Sequence, residues 1–182
     1  MKINKTLAGA IAAIAAIAGT PSFAADQNPP VPIAIPAPPA GKGQVVFFRT
    51  GGLVGAAVAC SVHENGQKVS SLGGGRYFIM VADPGRHEFS VKTEATDKLP
   101  LEVEPDETQF ASCKIKMGIM VGRPDIRPST EEEFRQHPNL KMVDADDMGP
   151  GPGALRPDEV AAALAAQSAP SGSNTAAPTA GQ

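Results

Sequence analysis

The sequence predicts an all-β fold: a single antiparallel β-sandwich of about seven strands spanning residues 44–147, with one short helix after the strands. Three observations lead there. Short runs with β-strand alternation follow one another from Gln44 to Met117. Strong turn signals separate them at short intervals, the spacing of a sandwich. The segment before the middle reads as a signal peptide and linker and the one after it is poor in large apolar residues, so only the middle can build a core, and its length suits one core rather than two.

The elements follow in order. Gln44–Thr50 opens with Val45, Val46, Phe47 and Phe48, a β-branched and aromatic run, and Gly51-Gly52 breaks it. Ala56–His63 puts Val58, Cys60 and Val62 on one face. Asn65-Gly66 then demands a tight hairpin, because a type I′ turn needs positive φ at both central residues, so Gln67–Leu72 returns antiparallel. Gly73-Gly74-Gly75 makes the next turn. Arg76–Ala82 is apolar on both faces and reads as central. Asp83-Pro84-Gly85 is a tight turn. Arg86–Glu94 alternates, with His87, Phe89 and Val91 inward. Lys98–Glu104 directs Leu99, Leu101 and Val103 inward, and Pro100, which has no N–H for a ladder, places this strand at an edge or at its own start. Thr108–Met117 carries Ala111, Cys113, Ile115 and Met117 on one face. Ser129–His137 reads as a helix, with Ser129 and Glu132 forming a capping box, an acidic first turn and Pro138 as the stop.

The two ends differ from the middle. Residues 1–24 read as a secretory signal peptide: Lys2 and Lys5, an apolar Leu7–Ala18, and small Ser22 and Ala24 before the cleavage point. Twelve apolar residues span about 18 Å, too short to cross a ~30 Å hydrocarbon core. A lipoprotein would need a cysteine at the junction, and the first one here is Cys60, so a soluble periplasmic or secreted protein without a membrane anchor is expected. Residues 25–43 form a proline-rich linker, read as a semi-rigid spacer or as a docking ligand for a partner's aromatic groove. Residues 148–182 read as a low-complexity, disordered tail, too poor in apolar groups to offset ordering entropy. Within that tail, Pro157–Gln167 has a helix-start signature but is marginal alone.

Loss of Lys2 and Lys5 with the signal would take the net charge from −3 to −5. No basic block remains, which argues against nucleic acid and anionic membrane surfaces as partners.

Several segments in sequence order carry a resemblance: Gly43-Gln44-Val45-Val46-Phe47-Phe48-Arg49, Glu64-Asn65-Gly66, Asp83-Pro84-Gly85-Arg86-His87, Lys92-Thr93-Glu94-Ala95-Thr96, and Met117 through Pro124. Over about Gly41 to His137 the chain resembles the bacterial family of unknown function numbered 2846. The resemblance implies a secreted or envelope-located β-sandwich, similar to the transthyretin-like, carboxypeptidase-regulatory group, and it implies no catalytic residue. Many members look like lipoproteins; this chain lacks the junctional cysteine, so membrane attachment does not carry over.

The chemistry-bearing constellations are few. Cys60 and Cys113 are an even pair on inward faces and in an exported chain, so a disulfide is expected; the alternative is two separate buried thiols. A bond would close a loop of about 53 residues, worth roughly 4 kcal/mol in the chain-entropy model. A redox-active pair is not indicated, since there is no Cys-x-x-Cys. His63, Glu64, His87 and Glu88 are the only nearby metal candidates, and none has a spacing that aims two ligands at one ion. His87, sharing a face with Phe89 and Val91, reads instead as a hydrogen-bonded core histidine. No Gly-x-Ser-x-Gly is present, and the glycine runs are not phosphate loops. Catalytic, metal and cofactor sites are therefore all expected to be absent. The stretch Gly118, Ile119, Met120, Val121, Gly122 and Arg123 is the one candidate contact surface, because methionine adapts and glycine admits another backbone; a strand ending in a bulge is the alternative.

The function that these observations favour is a non-catalytic periplasmic binding or accessory module meeting an envelope protein partner through a sheet edge or residues 118–123. The alternatives are a structural envelope or stress protein without a specific ligand, and a small hydrolase or metal-dependent enzyme.

Overall fold

The computed structural model describes residues 31–52, 56–92, 95–118 and 122–169. The expected signal peptide (1–24), the first part of the proline-rich linker (25–30) and the end of the tail (170–182) lie outside the described residues.

Nine strands form among the described residues: β1 Gly43–Arg49, β2 Cys60–Glu64, β3 Gln67–Leu72, β4 Arg76–Ala82, β5 Gly85–Lys92, β6 Thr96–Val103, β7 Thr108–Lys116, β8 Arg123–Ser129 and β9 Lys141–Met142. They are joined by helices α1 Glu131–Arg135 and α2 Pro157–Ser168. One sheet has the order β8-β7-β1-β4-β9, the other β3-β2-β5-β6. The chain is thus mostly β, in two sheets. The expectation of a wholly antiparallel arrangement is corrected, because β1 runs parallel to β7 and β4 runs parallel to β9. Local alternation cannot report strand direction across 60 residues, so this was outside its reach.

The turn chemistry acts as read. Asn65 and Gly66 have φ of 49° and 79°, and β2 and β3 pair antiparallel around them. Strand β6, with Pro100, is an edge strand, and β4 is interior. Strand β2 starts at Cys60 rather than Ala56, and Met117 is corrected from inward to 86 % exposed, since it lies just past the end of β7.

The two sheets face one another across a continuous apolar core. Val45, Phe47, Phe78 and Met80 from one sheet meet Val62, Leu72, Phe89 and Val91 from the other. Phe47 stacks on Phe78 and meets Phe89 edge-on, each at 4.9 Å between ring centroids. A disulfide joins Cys60 on β2 to Cys113 on β7, with Cα atoms 6.6 Å apart, and so ties one sheet to the other. The paired alternative is the one that holds.

Every residue of β1 is buried, and the five-stranded sheet is covered on its outer face as well. Val46, Phe48, Tyr77, Ile79 and Phe110 form a second cluster with Phe134, Leu140 and Val160. Phe134 of α1 sits at its centre, 5.5–5.6 Å from the rings of Phe48, Tyr77 and Phe110. Thr130, not Ser129, caps α1, accepting from the Glu133 N–H at 3.2 Å; Ser129 ends β8 and donates to Glu133 Oε2 instead.

This cover corrects the reading of residues 148–169 as a tail unable to pack. Gly149 N donates to Val69 O and Gly151 N to Lys68 O, both at 2.8 Å, so the chain runs along the edge of β3. It then crosses to β4, where Gly153 O accepts from Val81 N at 2.8 Å and Leu155 N donates to Ile79 O at 2.9 Å. A Cβ on Gly149 would stand 2.0 Å from Lys68 O, so glycine is what lets the two backbones approach. Helix α2 follows, with Pro157 at its start, Glu159 Oε2 accepting from the Arg156 N–H at 2.6 Å, and Val160 buried. The few apolar residues suffice because the sheet already presents an apolar face.

The opposite flank is closed differently. Asp97 Oδ2 of β6 accepts from Ile126 N of β8 at 2.9 Å, and β8 carries Pro124 and Pro128, which have no N–H to offer another strand.

Candidate functional site

Two places bring functional groups together, at one end of the sheets and on the outer face. The end is formed by the β2–β3 hairpin, the β4–β5 turn and Lys42, just before β1. Strands β2 and β5 are neighbours, with Glu64 opposite Phe89, so Glu64 and His87, 23 residues apart, come within hydrogen-bond contact. His87 Nδ1 meets Glu64 Oε1, and His87 Nε2 meets Asp83 O at 2.8 Å. Lys42 Nζ pairs with Asp83 Oδ1. These groups, with Pro152 and Gly153 of the C-terminal segment, line a cleft of about 170 Å³.

The electrostatics follow from the partners. A carbonyl can only accept, so Nε2 of His87 must carry a proton. An ionised Glu64 can only accept, so Nδ1 carries one too, and the imidazolium form satisfies both contacts. Burial opposes that charge and is the largest single influence, but the bonds to Glu64 and Asp83 and their charges together outweigh it and raise the His87 pKa above its ordinary value. The Asp83 carboxyl is held below its usual range by the Lys42 hydrogen bond and charge. The cleft lining contains no serine, threonine or cysteine, and both ring nitrogens of His87 face internal partners. Among the described residues, no group of three or more His, Cys, Asp or Glu converges as metal ligands do. His87 makes the expected hydrogen bonds, but its expected place in the core is corrected: it is half-buried at the cleft, its ring stacked on Phe89 at 6.0 Å. The Glu64–His87 pair has no linear spacing signal because the two residues lie on different strands.

The second place is the groove that holds the proline-rich segment. Residues 31–42, expected as a spacer, lie against the outer face: Ile33 and Ile35 pack on the aromatic cluster, and Pro36 is buried. Three side chains grip the backbone of this segment. Arg135 of α1 donates to Ile33 O. Gln44 of β1 donates to Pro36 O at 2.6 Å. Gln167 of α2 closes a two-bond pair with Ala37, accepting from its N–H and donating to its carbonyl, both at 3.0 Å. An amphipathic extended segment, apolar residues on the face toward the sheet, is thus read through its carbonyls by fixed donors.

The candidate contact surface is divided. Gly118 and Gly122 are half-buried and Arg123 opens β8, paired in register with Lys116, while Ile119, Met120 and Val121 lie outside the described residues. No helix among the described residues is long and apolar enough to cross a membrane.

Residues 39–124 match the family described as "Protein of unknown function (DUF2846)". The outer cover, from Ile33 and Ile35 on one side and Phe134 and Val160 on the other, comes from outside the matched span. No curated protein and no solved structure matches the chain.

Proposed function

We propose that this protein is a member of the DUF2846 family and an exported, non-catalytic binding or accessory module whose two stacked sheets form a transthyretin-like β-sandwich. The observation that carries the reading is the outer groove, where Gln44, Arg135 and Gln167 converge on the backbone of one extended segment. A surface that reads peptide carbonyls over an aromatic floor is suited to binding, not turnover. The cleft at His87 supports the same reading. It is smaller than the ~300–1,000 Å³ common for ligand pockets and offers no nucleophile beside its histidine. The Cys60–Cys113 disulfide agrees with an oxidising compartment, in the periplasm or outside the cell.

The test is crosslinking of the full chain in the intact envelope, followed by capture and identification of what is joined to it. A saturable crosslink to one protein is the expected result. Turnover of an ester, peptide or glycoside panel that disappears in His87→Gln would replace the reading with the hydrolase alternative. A chain that joins nothing in the envelope would favour a purely structural role.

A further inference from the structure

We infer that the outer groove is a docking site for a proline-rich extended segment of a partner protein, and that residues 31–40 of this chain occupy it in cis as a displaceable strap. The inference rests on the binding-module reading and specifies the chemistry of its ligand.

Four observations support it. The strap, Val-Pro-Ile-Ala-Ile-Pro-Ala-Pro-Pro-Ala, has four prolines, which favour polyproline II and leave carbonyls as the main polar groups to recognise. The groove matches that chemistry: Arg135, Gln44 and Gln167 donate to the carbonyls of Ile33, Pro36 and Ala37. Its floor holds Phe48, Tyr77, Phe110 and Phe134, the aromatic lining that proline-rich ligands dock against. The strap also fits imperfectly. Gln44 is fully buried, yet its Oε1 has no donor among the described residues. Val31 at its far end is 80 % exposed. At the near end the chain turns sharply at Gly41, whose φ is +73°, before entering β1, so the strap can swing away without unthreading the sheet.

Competition in cis sets the expected numbers. If the strap is docked at least nine-tenths of the time, the apparent affinity for a peptide in trans falls at least about tenfold. The experiment titrates a labelled decapeptide with the sequence of residues 31–40 against the full chain and against the full-length double variant Ile33→Ser, Ile35→Ser. That variant loosens the strap and leaves the groove intact. Binding at least about tenfold tighter to the double variant than to the unaltered chain is expected. A further Gln167→Ala change, on an exposed residue of α2, should remove most of that gain. A peptide with its four prolines changed to alanine should bind several-fold more weakly.

If the double variant keeps its melting transition and binds no peptide, the proposal is overturned while the crosslinking result stands on its own. If it does not fold, Ala37→Pro is the second route, since it deletes only the N–H given to Gln167; failure of that folded variant to gain peptide affinity overturns the proposal equally. Equal binding of the alanine peptide overturns the proline-rich chemistry. Concentration-dependent dimers of the unaltered chain that the peptide dissolves would reassign the occupant to a second copy and overturn the partner assignment.

Discussion

The five-stranded sheet buries both of its faces, and it does so in two different ways. The inner face meets another sheet, strand against strand, with a disulfide across the gap. The outer face is covered by pieces, a proline-rich segment and two helices, while the glycine-rich segment between the helices closes the flank along β3 and β4. Inner packing is built from residues that alternate at period two in every strand. Outer packing is built from isolated apolar residues, each useless alone, that meet over Phe48, Tyr77 and Phe110. The lesson is that a segment's own composition does not decide whether it orders; the apolar surface it lands on counts equally.

The comparison can be broken most strongly at its two central rings. Phe47 and Phe134 are both fully buried. Phe47→Ala should cost about 5 kcal/mol and Phe134→Ala about 3 kcal/mol, because a short helix can settle into the space more readily than two paired sheets can. Urea midpoints at unchanged m-value measure both; equal costs would mean that the outer cover is as rigid as the inner core.

Removing the bond between the sheets comes next. Cys60→Ser with Cys113→Ser opens a loop of 53 residues and should cost about 4 kcal/mol, read as a lowered denaturation midpoint and as an unaltered midpoint shift when reductant is added to the variant. A loss below about 1 kcal/mol would place the stability of the domain in packing alone.

A smaller effect tests the strap along β3. Gly149→Ala puts a Cβ against Lys68 O and should cost about 2 kcal/mol, whereas the same change at exposed Gly52, where a Cβ meets nothing, should be near neutral. Matching thermal scans of the two variants decide it.

The pH profile has the smallest amplitude. The His87 pKa is raised in the folded chain, burial opposing and Glu64 with Asp83 prevailing. Its contribution is therefore full below the ordinary value of 6.5 and fades as pH rises through the folded value. On the acid side, Asp83 is held low by Lys42, and Glu133 by Ser129 and Lys114, so their contributions fade as pH falls through their folded values. Melting temperature measured against pH should decline on both sides, and His87→Gln should flatten the alkaline side only.

Legibility in the sequence followed the same division. The Asn65-Gly66 hairpin, the edge position of Pro100 and the inward facing of Cys60 and Cys113 were readable, because each depends on φ preference or on period-two alternation. The adjacency of β2 and β7 across the core was not, since no local signal encodes it. Strand β8 has no counterpart in the sequence reading; its Pro124 and Pro128 are tolerated because it lies at a sheet edge. The Glu64–His87 pair was missed because two strands supply it. The outer cover left one clue: β1 and β4 are apolar on both faces, which demands a second covering layer.

That the chain beyond Met148 is built onto both sheets is the central claim, and amide hydrogen exchange on the full chain tests it most directly. Gly149, Gly151 and Leu155 donate to carbonyls of β3 and β4, so their amides should exchange about as slowly as those of the strands they touch. Exchange of all three at the rate of an unstructured peptide, with β3 and β4 still protected, would contradict it.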